Sequence, residues 1–135
     1  MCFNCLVPRS DYRCVRVGPA CFTFVNGLAY WFDESFYDDR LKGRMTPRDV
    51  TSIISEINDS LGANMPCPGL TLLGYLLAIP TLGLSWLLMY LCCVRQAESE
   101  VRKVITRLNM EHGSKKVELS LQVSRGTSWL QFKFN

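Results

Sequence analysis

The stretch LTLLGYLLAIPTLGLSWLLMYLCCV, from Leu70 to Val94, has no charged residue and carries Pro80 in its middle. It belongs to a longer interval, Ser60 to Val94, that lacks Asp, Glu, Lys and Arg altogether. A continuous helix over Leu70 to Val94 would extend roughly 37 Å at about 1.5 Å per residue, enough for a hydrocarbon core of about 30 Å. Pro80 works against that geometry because it removes an internal hydrogen bond, and Gly74 and Gly83 loosen the segment further. The two arms that remain each reach roughly 15 to 21 Å, about the depth of one leaflet. Lys42, Arg44 and Arg48 precede the segment while Arg95, Arg102, Lys103 and Arg107 follow it, so neither flank is distinctly the positive one.

These features predict a membrane-embedded segment over 66–94, either re-entrant or kinked and spanning. Its lipid-facing candidates are Leu70, Leu73, Leu76, Pro80, Leu84, Trp86, Leu87 and Tyr90. The competing structure is a buried core helix in a soluble protein. A chain of 135 residues has room for one core and rarely hides so long a run without an ionised group. The net charge of +3 is too small to indicate a nucleic-acid binder and suits an anionic membrane surface.

After a tail over 1–11, residues 12–32 place YRCVRV, CFTFV and LAYWF around Gly18-Pro19 and Asn26-Gly27. Asn-Gly between β-prone runs predicts a hairpin, because both turn positions need positive φ. Residues 46–62 predict an amphipathic helix, with Thr46 as cap, Pro47 at the first helical position, and Val50, Ile53, Ile54, Ile57 and Leu61 on one face. Residues 95–112 predict a second, with Val101, Val104, Ile105 and Leu108 as its stripe and Glu98 supporting Arg102. Residues 115–134 alternate apolar and polar on both sides of SRGTS, a second hairpin. The fold expected is therefore α+β: two amphipathic helices flanking the membrane-embedded segment, with β hairpins at the N- and C-terminal ends, in one membrane-associated domain.

The seven cysteines follow no secretory leader in this sequence, which predicts reduced thiols in or facing the cytosol. Cys92 and Cys93, beside Arg95, and Cys67, between two prolines, are juxtamembrane thiols of the kind that accept S-acyl groups. Small buried hydrophobes are the plain alternative. Cys2, Cys5, Cys14 and Cys21 lack the paired knuckles of a zinc site, so no metal or cofactor is expected. His112 is the only histidine, at the expected end of a helix, and no nucleophile elbow, phosphate loop or metalloprotease motif occurs. The chain does not read as an enzyme.

The order of CFTFVNGL, RMTPRDVTSIISEINDSL, an apolar cysteine-bearing segment, RQAESEVRKVITRLN and a closing hairpin resembles the cysteine-rich hydrophobic domain proteins. It is similar also to the golgin-subfamily accessory subunits of DHHC palmitoyltransferases, which include the yeast Ras palmitoyltransferase accessory subunit. The resemblance covers Cys21 onward and is sharpest at IxxIN, Ile54 to Asn58. It implies a non-catalytic subunit on the cytosolic face of Golgi or plasma membranes that stabilises or activates a DHHC enzyme. The chain has no Asp-His-His-Cys motif with which to form an acyl-enzyme itself. By position, the family's acylated cysteines fall nearest Cys67, Cys92 and Cys93, although this chain has fewer cysteines there. Ile54, Ile57, Asn58, Val101, Ile105 and Leu108 are the partner-facing candidates on the two helices. The alternative is an auxiliary or structural subunit of another integral membrane complex, such as a channel or trafficking scaffold, held by the same anchor.

Overall fold

The computed structural model describes residues 6–20, 23, 27–65, 68–124 and 126–134. Along the chain these form β1 (Cys14–Val17), α1 (Pro47–Asn64), α2 (Pro68–Ala78), α3 (Leu84–Met89), α4 (Arg95–Glu111), β2 (Val117–Ser124) and β3 (Thr127–Phe134).

α1 begins where the sequence satisfies the orphan N–H groups of a first turn. Thr46 Oγ1 accepts from the Asp49 N–H at 3.2 Å while Asp49 Oδ2 accepts from the Thr46 N–H at 2.9 Å, and Pro47 needs no donor. The helix runs past Gly62, and its C-cap is the Met65 N–H bonded to Leu61 O at 2.8 Å. Its stripe of Val50, Ile53, Ile54, Ile57 and Leu61 is buried against Ala97, Val101, Ile105 and Leu108 of α4 and against the sheet. Each such side chain contributes about 1.5 to 3 kcal/mol on leaving water, so the two stripes form the centre of the core.

The sheet has order β1-β3-β2 and is antiparallel throughout. β2 and β3 form a hairpin from Val117↔Phe134 to Ser124↔Thr127, and Gly126, at φ 77°, supplies the left-handed turn position. Leu119, Leu121, Leu130 and Phe132 alternate inward, joined by Val15 and Val17 of β1. Both outer edges of the sheet are covered by side chains. On β2, Asn109 accepts the Leu119 N–H and donates to Leu119 O, each at 2.7 Å, and Arg102 donates to Leu121 O at 3.3 Å. On β1, Ser10 Oγ accepts the Arg16 N–H at 2.8 Å and Asp11 Oδ1 accepts the Cys14 N–H at 3.0 Å. An edge whose backbone groups are occupied in this way resists pairing with another chain.

The expected membrane segment is corrected. The segment expected to be a kinked spanning or re-entrant membrane element is instead two short helices joined by a turn over 79–83, and no helix among the described residues is long and apolar enough to cross a membrane. Pro80 ends α2 two residues early, as the restriction on the residue before a proline requires. Leu82 and Gly83 then take positive φ, 52° and 82°, and the Gly83 N–H closes the turn on Ala78 O at 2.7 Å.

Of the N-terminal hairpin expected over 12–32, the described residues show a part, antiparallel bridges between 19–23 and 29–32. β1 spends its ladder on β3, and after it the described residues make only isolated bridges, Pro19↔Phe32 and Thr23↔Ala29. Gly27 explains why this stretch lies across the end of the C-terminal hairpin. A Cβ there would sit 2.5 Å from the Thr127 nitrogen, so only glycine allows the approach. Cys21, Phe22, Phe24, Val25 and Asn26, on which the hairpin expectation drew, lie outside the described residues.

Between α3 and α4 the helical path is not regular. Tyr90–Val94 forms a π turn, which adds one residue to the helical repeat before Val94 enters the core.

Candidate functional site

A helical hairpin, α2 with α3, leaves the body between the end of α1 and the start of α4. Its surface is almost wholly aliphatic. Leu72, Leu73, Leu76, Leu77 and Ile79 are exposed, and at about 100° per residue they form one broad apolar face of roughly 160° along α2 and into the turn after it. At the tip Leu82 is 97% exposed and Ile79 85%. Leu84, Leu87, Leu88 and Leu91 continue the apolar surface on the returning arm. A contiguous patch of this kind on so small a body marks a contact with something equally apolar.

Two hydroxyls of the hairpin bond to its own backbone. The Thr81 hydroxyl donates to Leu77 O at 2.6 Å and the Ser85 hydroxyl donates to Gly74 O at 3.1 Å, tying the two arms together. Gly74 is buried at that crossing. Hydroxyls satisfied by local carbonyls cost little when water is excluded around them.

Among the lipid-facing candidates, Leu73, Leu76, Pro80, Leu84 and Leu87 are exposed and Tyr90 is half-buried against the core. The side chains of Leu70 and Trp86 lie outside the described residues. Cys92 is exposed and Cys93 half-buried, both free thiols in the π turn at the base of the hairpin. Cys67 is outside the described residues.

The partner-facing candidates are placed differently. Ile54, Ile57, Val101, Ile105 and Leu108 are buried, because the two apolar stripes cover each other and the sheet. Asn58 is engaged inside the body: its Oδ1 accepts the Phe32 N–H at 2.8 Å and its Nδ2 donates to Phe32 O and Glu34 Oε1, each at 2.9 Å. Asn58 and Asn109 thus perform one task on opposite sides of the core, each clasping a single residue's backbone. Sequence alone offers no signal for that role beyond a polar residue bordering an apolar helical stripe.

Among the described residues, no group of three His, Cys, Asp or Glu side chains could hold a metal ion. A shallow groove of about 600 Å³ over α1 is lined by Arg48, Thr51, Ser52, Ser55, Glu56 and Asp59, where no imidazole or amine is present to take a proton from a hydroxyl. His112 half-faces solvent at the end of α4, its backbone N–H bonded to Leu108 O at 2.9 Å. Comparisons with protein-family models, with curated proteins and with solved structures find no match.

Proposed function

We propose that this chain is a non-catalytic, membrane-associated accessory subunit that stabilises or activates a DHHC protein S-palmitoyltransferase on the cytosolic face of Golgi or plasma membranes. The observation that carries this reading is the uncharged aliphatic hairpin α2–α3, projecting from a body whose own surfaces are closed. The sheet edges are capped and the helix stripes are mutually buried, and the large exposed apolar surface of the hairpin supports a binding role. The order of elements resembling the DHHC accessory subunits, IxxIN included, supplies the class of partner.

The chemistry of such a subunit is selective binding. A partner held in one conformation through the hairpin and the adjoining body is stabilised by mass action, and its active state gains population only as far as this chain binds that state better. Cys92, and to a lesser degree Cys93, would receive acyl chains that strengthen the contact without taking part in the partner's reaction. Co-expression with DHHC enzymes tests the reading. The expected result is raised abundance and autoacylation of at least one of them, and co-purification with it in mild detergent. Unchanged abundance and autoacylation of every DHHC enzyme overturns it, and a different integral membrane protein co-purifying in stoichiometric amount would assign the chain to that complex.

A further inference from the structure

Before α1 the chain passes through DESFYDDR, Asp33 to Arg40, a connector that lies on the surface. Its one serine, Ser35, is exposed in a turn that the Phe36 N–H closes on Asp33 O at 3.3 Å. The Ser35 N–H and hydroxyl both donate to Asp33 Oδ1, at 2.9 and 2.6 Å. Carboxylates flank this hydroxyl on both sides, Asp33 and Glu34 just before it and Asp38 and Asp39 shortly after. Asp38 lies 3.7 Å from Arg40 and Glu34 accepts from Asn58, while Asp33 and Asp39 have no ion pair among the described residues.

The connector runs antiparallel to α1. Asn58 clasps Phe32, Thr51 Oγ1 donates to Glu34 O at 3.1 Å, and Tyr37 OH donates to Met45 O at 3.1 Å just before the helix starts. Ser35 therefore passes the first turn of α1 between the levels of Thr51 and Met45, which is the level of Arg48. Arg48 has no ion pair among the described residues. It shares the groove of about 600 Å³ with the hydroxyls of Thr51, Ser52 and Ser55, and the acidic groups Glu56 and Asp59 lie toward the far end. The positive end of the helix dipole adds to the Arg48 charge at this place.

We propose that Ser35 is a phosphorylation site for an acid-directed protein kinase, and that Arg48 receives the phosphate. A kinase of this class reads the carboxylates around its target with a basic groove and needs a hydroxyl able to enter its cleft. Ser35 meets both conditions. The other exposed serines do not: Ser52 and Ser99 stand within α1 and α4, Ser114 precedes Lys115 and Lys116, and Ser124 ends β2. In the reaction the Ser35 oxygen attacks the γ-phosphorus of ATP and its proton passes to the kinase's catalytic carboxylate. The bond from that phosphorus to the β–γ bridging oxygen breaks, and ADP leaves. The product carries about two negative charges, which Asp33 and Glu34 repel and which Arg48 and the start of α1 attract. Charge-assisted hydrogen bonds to Arg48 then fasten the connector to the helix. The inference rests on the proposed function only in that the body faces the cytosol, where ATP and kinases are present.

The test uses the full chain in mild non-ionic detergent with ATP and casein kinase II, and needs no acyltransferase, so its outcome is independent of the proposed enzyme partner. Incorporation of one phosphate, located at Ser35 by tandem mass spectrometry, is expected. Ser35→Ala should lower incorporation at least about tenfold, Asp38→Asn with Asp39→Asn should lower kcat/KM about tenfold, and Ser99→Ala should change it less than about twofold. In phosphorus NMR the phosphate of the modified chain should titrate at lower pH than that of modified Arg48→Ala, because the guanidinium favours the dianion. Phosphate placed on another hydroxyl, no incorporation, or a rate indifferent to Asp38 and Asp39 overturns the site. Identical titration with and without Arg48 overturns the pairing.

Discussion

Asn109→Ala removes one side chain and leaves two backbone groups of an edge strand without partners, the N–H and the carbonyl of Leu119. Each bond is 2.7 Å long and part-buried. A buried polar group stripped of its partner costs about 1 to 3 kcal/mol. The groove beside these atoms, lined by Arg102, Thr106, Asn109 and Ser120 among others, opens to solvent, so water can reach one side of the stranded groups. That places the combined cost near the bottom of the additive range, about 2 kcal/mol. With an m-value of about 2 kcal/mol per molar in urea, the unfolding midpoint should fall by about 1 M with the slope unchanged. The measurement is urea unfolding of the full chain in mild non-ionic detergent, followed by tryptophan fluorescence. Thr106→Ala serves as a control on the same face of α4, where the hydroxyl only returns to Arg102 O. The variant should also self-associate more, because an uncovered strand edge is a template for pairing. A midpoint within about 0.2 M of the parent protein would refute the claim that Asn109 holds the edge of β2.

Three further outcomes follow from the same geometry. Asp49 is held at about 2, chiefly by the Lys115 ammonium and then by the Thr46 N–H. The unfolded carboxyl titrates near 3.8, so this stabilisation is complete above that pH and is lost as pH falls from there toward 2. Because the pair is partly exposed, its worth is about 1 kcal/mol rather than the full shift, and Asp49→Asn should remove that pH dependence from acid unfolding curves. Ile57→Ala, in a stripe that packs on α4, should destabilise the body by about 3 kcal/mol in urea unfolding. A loss of partner binding without a loss of stability would return that face to the partner. Leu82→Asp at the exposed tip should leave the body's unfolding midpoint within about 0.3 M yet weaken co-sedimentation with liposomes at least about tenfold, and undiminished co-sedimentation would remove the hairpin from the contact.

What the sequence discloses is local. The Thr46-Pro47-Arg48-Asp49 start and the recurrence of Val50, Ile53, Ile54 and Ile57 identify α1, because capping and a helical stripe act within a few residues. The alternation around Arg125-Gly126 identifies the β2–β3 hairpin for the same reason. β1 is a different case, since Val15 finds Phe132 more than a hundred positions away and no nearby residue announces it. The apolar run shows a general difficulty, in that hydropathy reports how long a stretch is and not how often it turns. Pro80, Leu82 and Gly83 contain the break, but only Gly83 has the unusual φ that a reader would expect of glycine. Likewise Ile54 and Val101 declare an apolar face without declaring its cover. In this chain each stripe is covered by the other, and the exposed apolar surface lies on the leucines between them.

The extra residue in the π turn at Tyr90–Val94 sets a phase. One added residue advances a helix by about 100° without interrupting it, so the leucines of α3 and the stripe of α4 are free to point in different directions along one continuous rod. Removing the exposed Leu91 would restore regular pitch and twist the whole hairpin about that rod by a quarter turn or so, presenting the Cys92 thiol on a new side while the core remained intact. The angle at which the arm meets its surroundings is therefore written into the spacing of the chain at this point and not into its leucines.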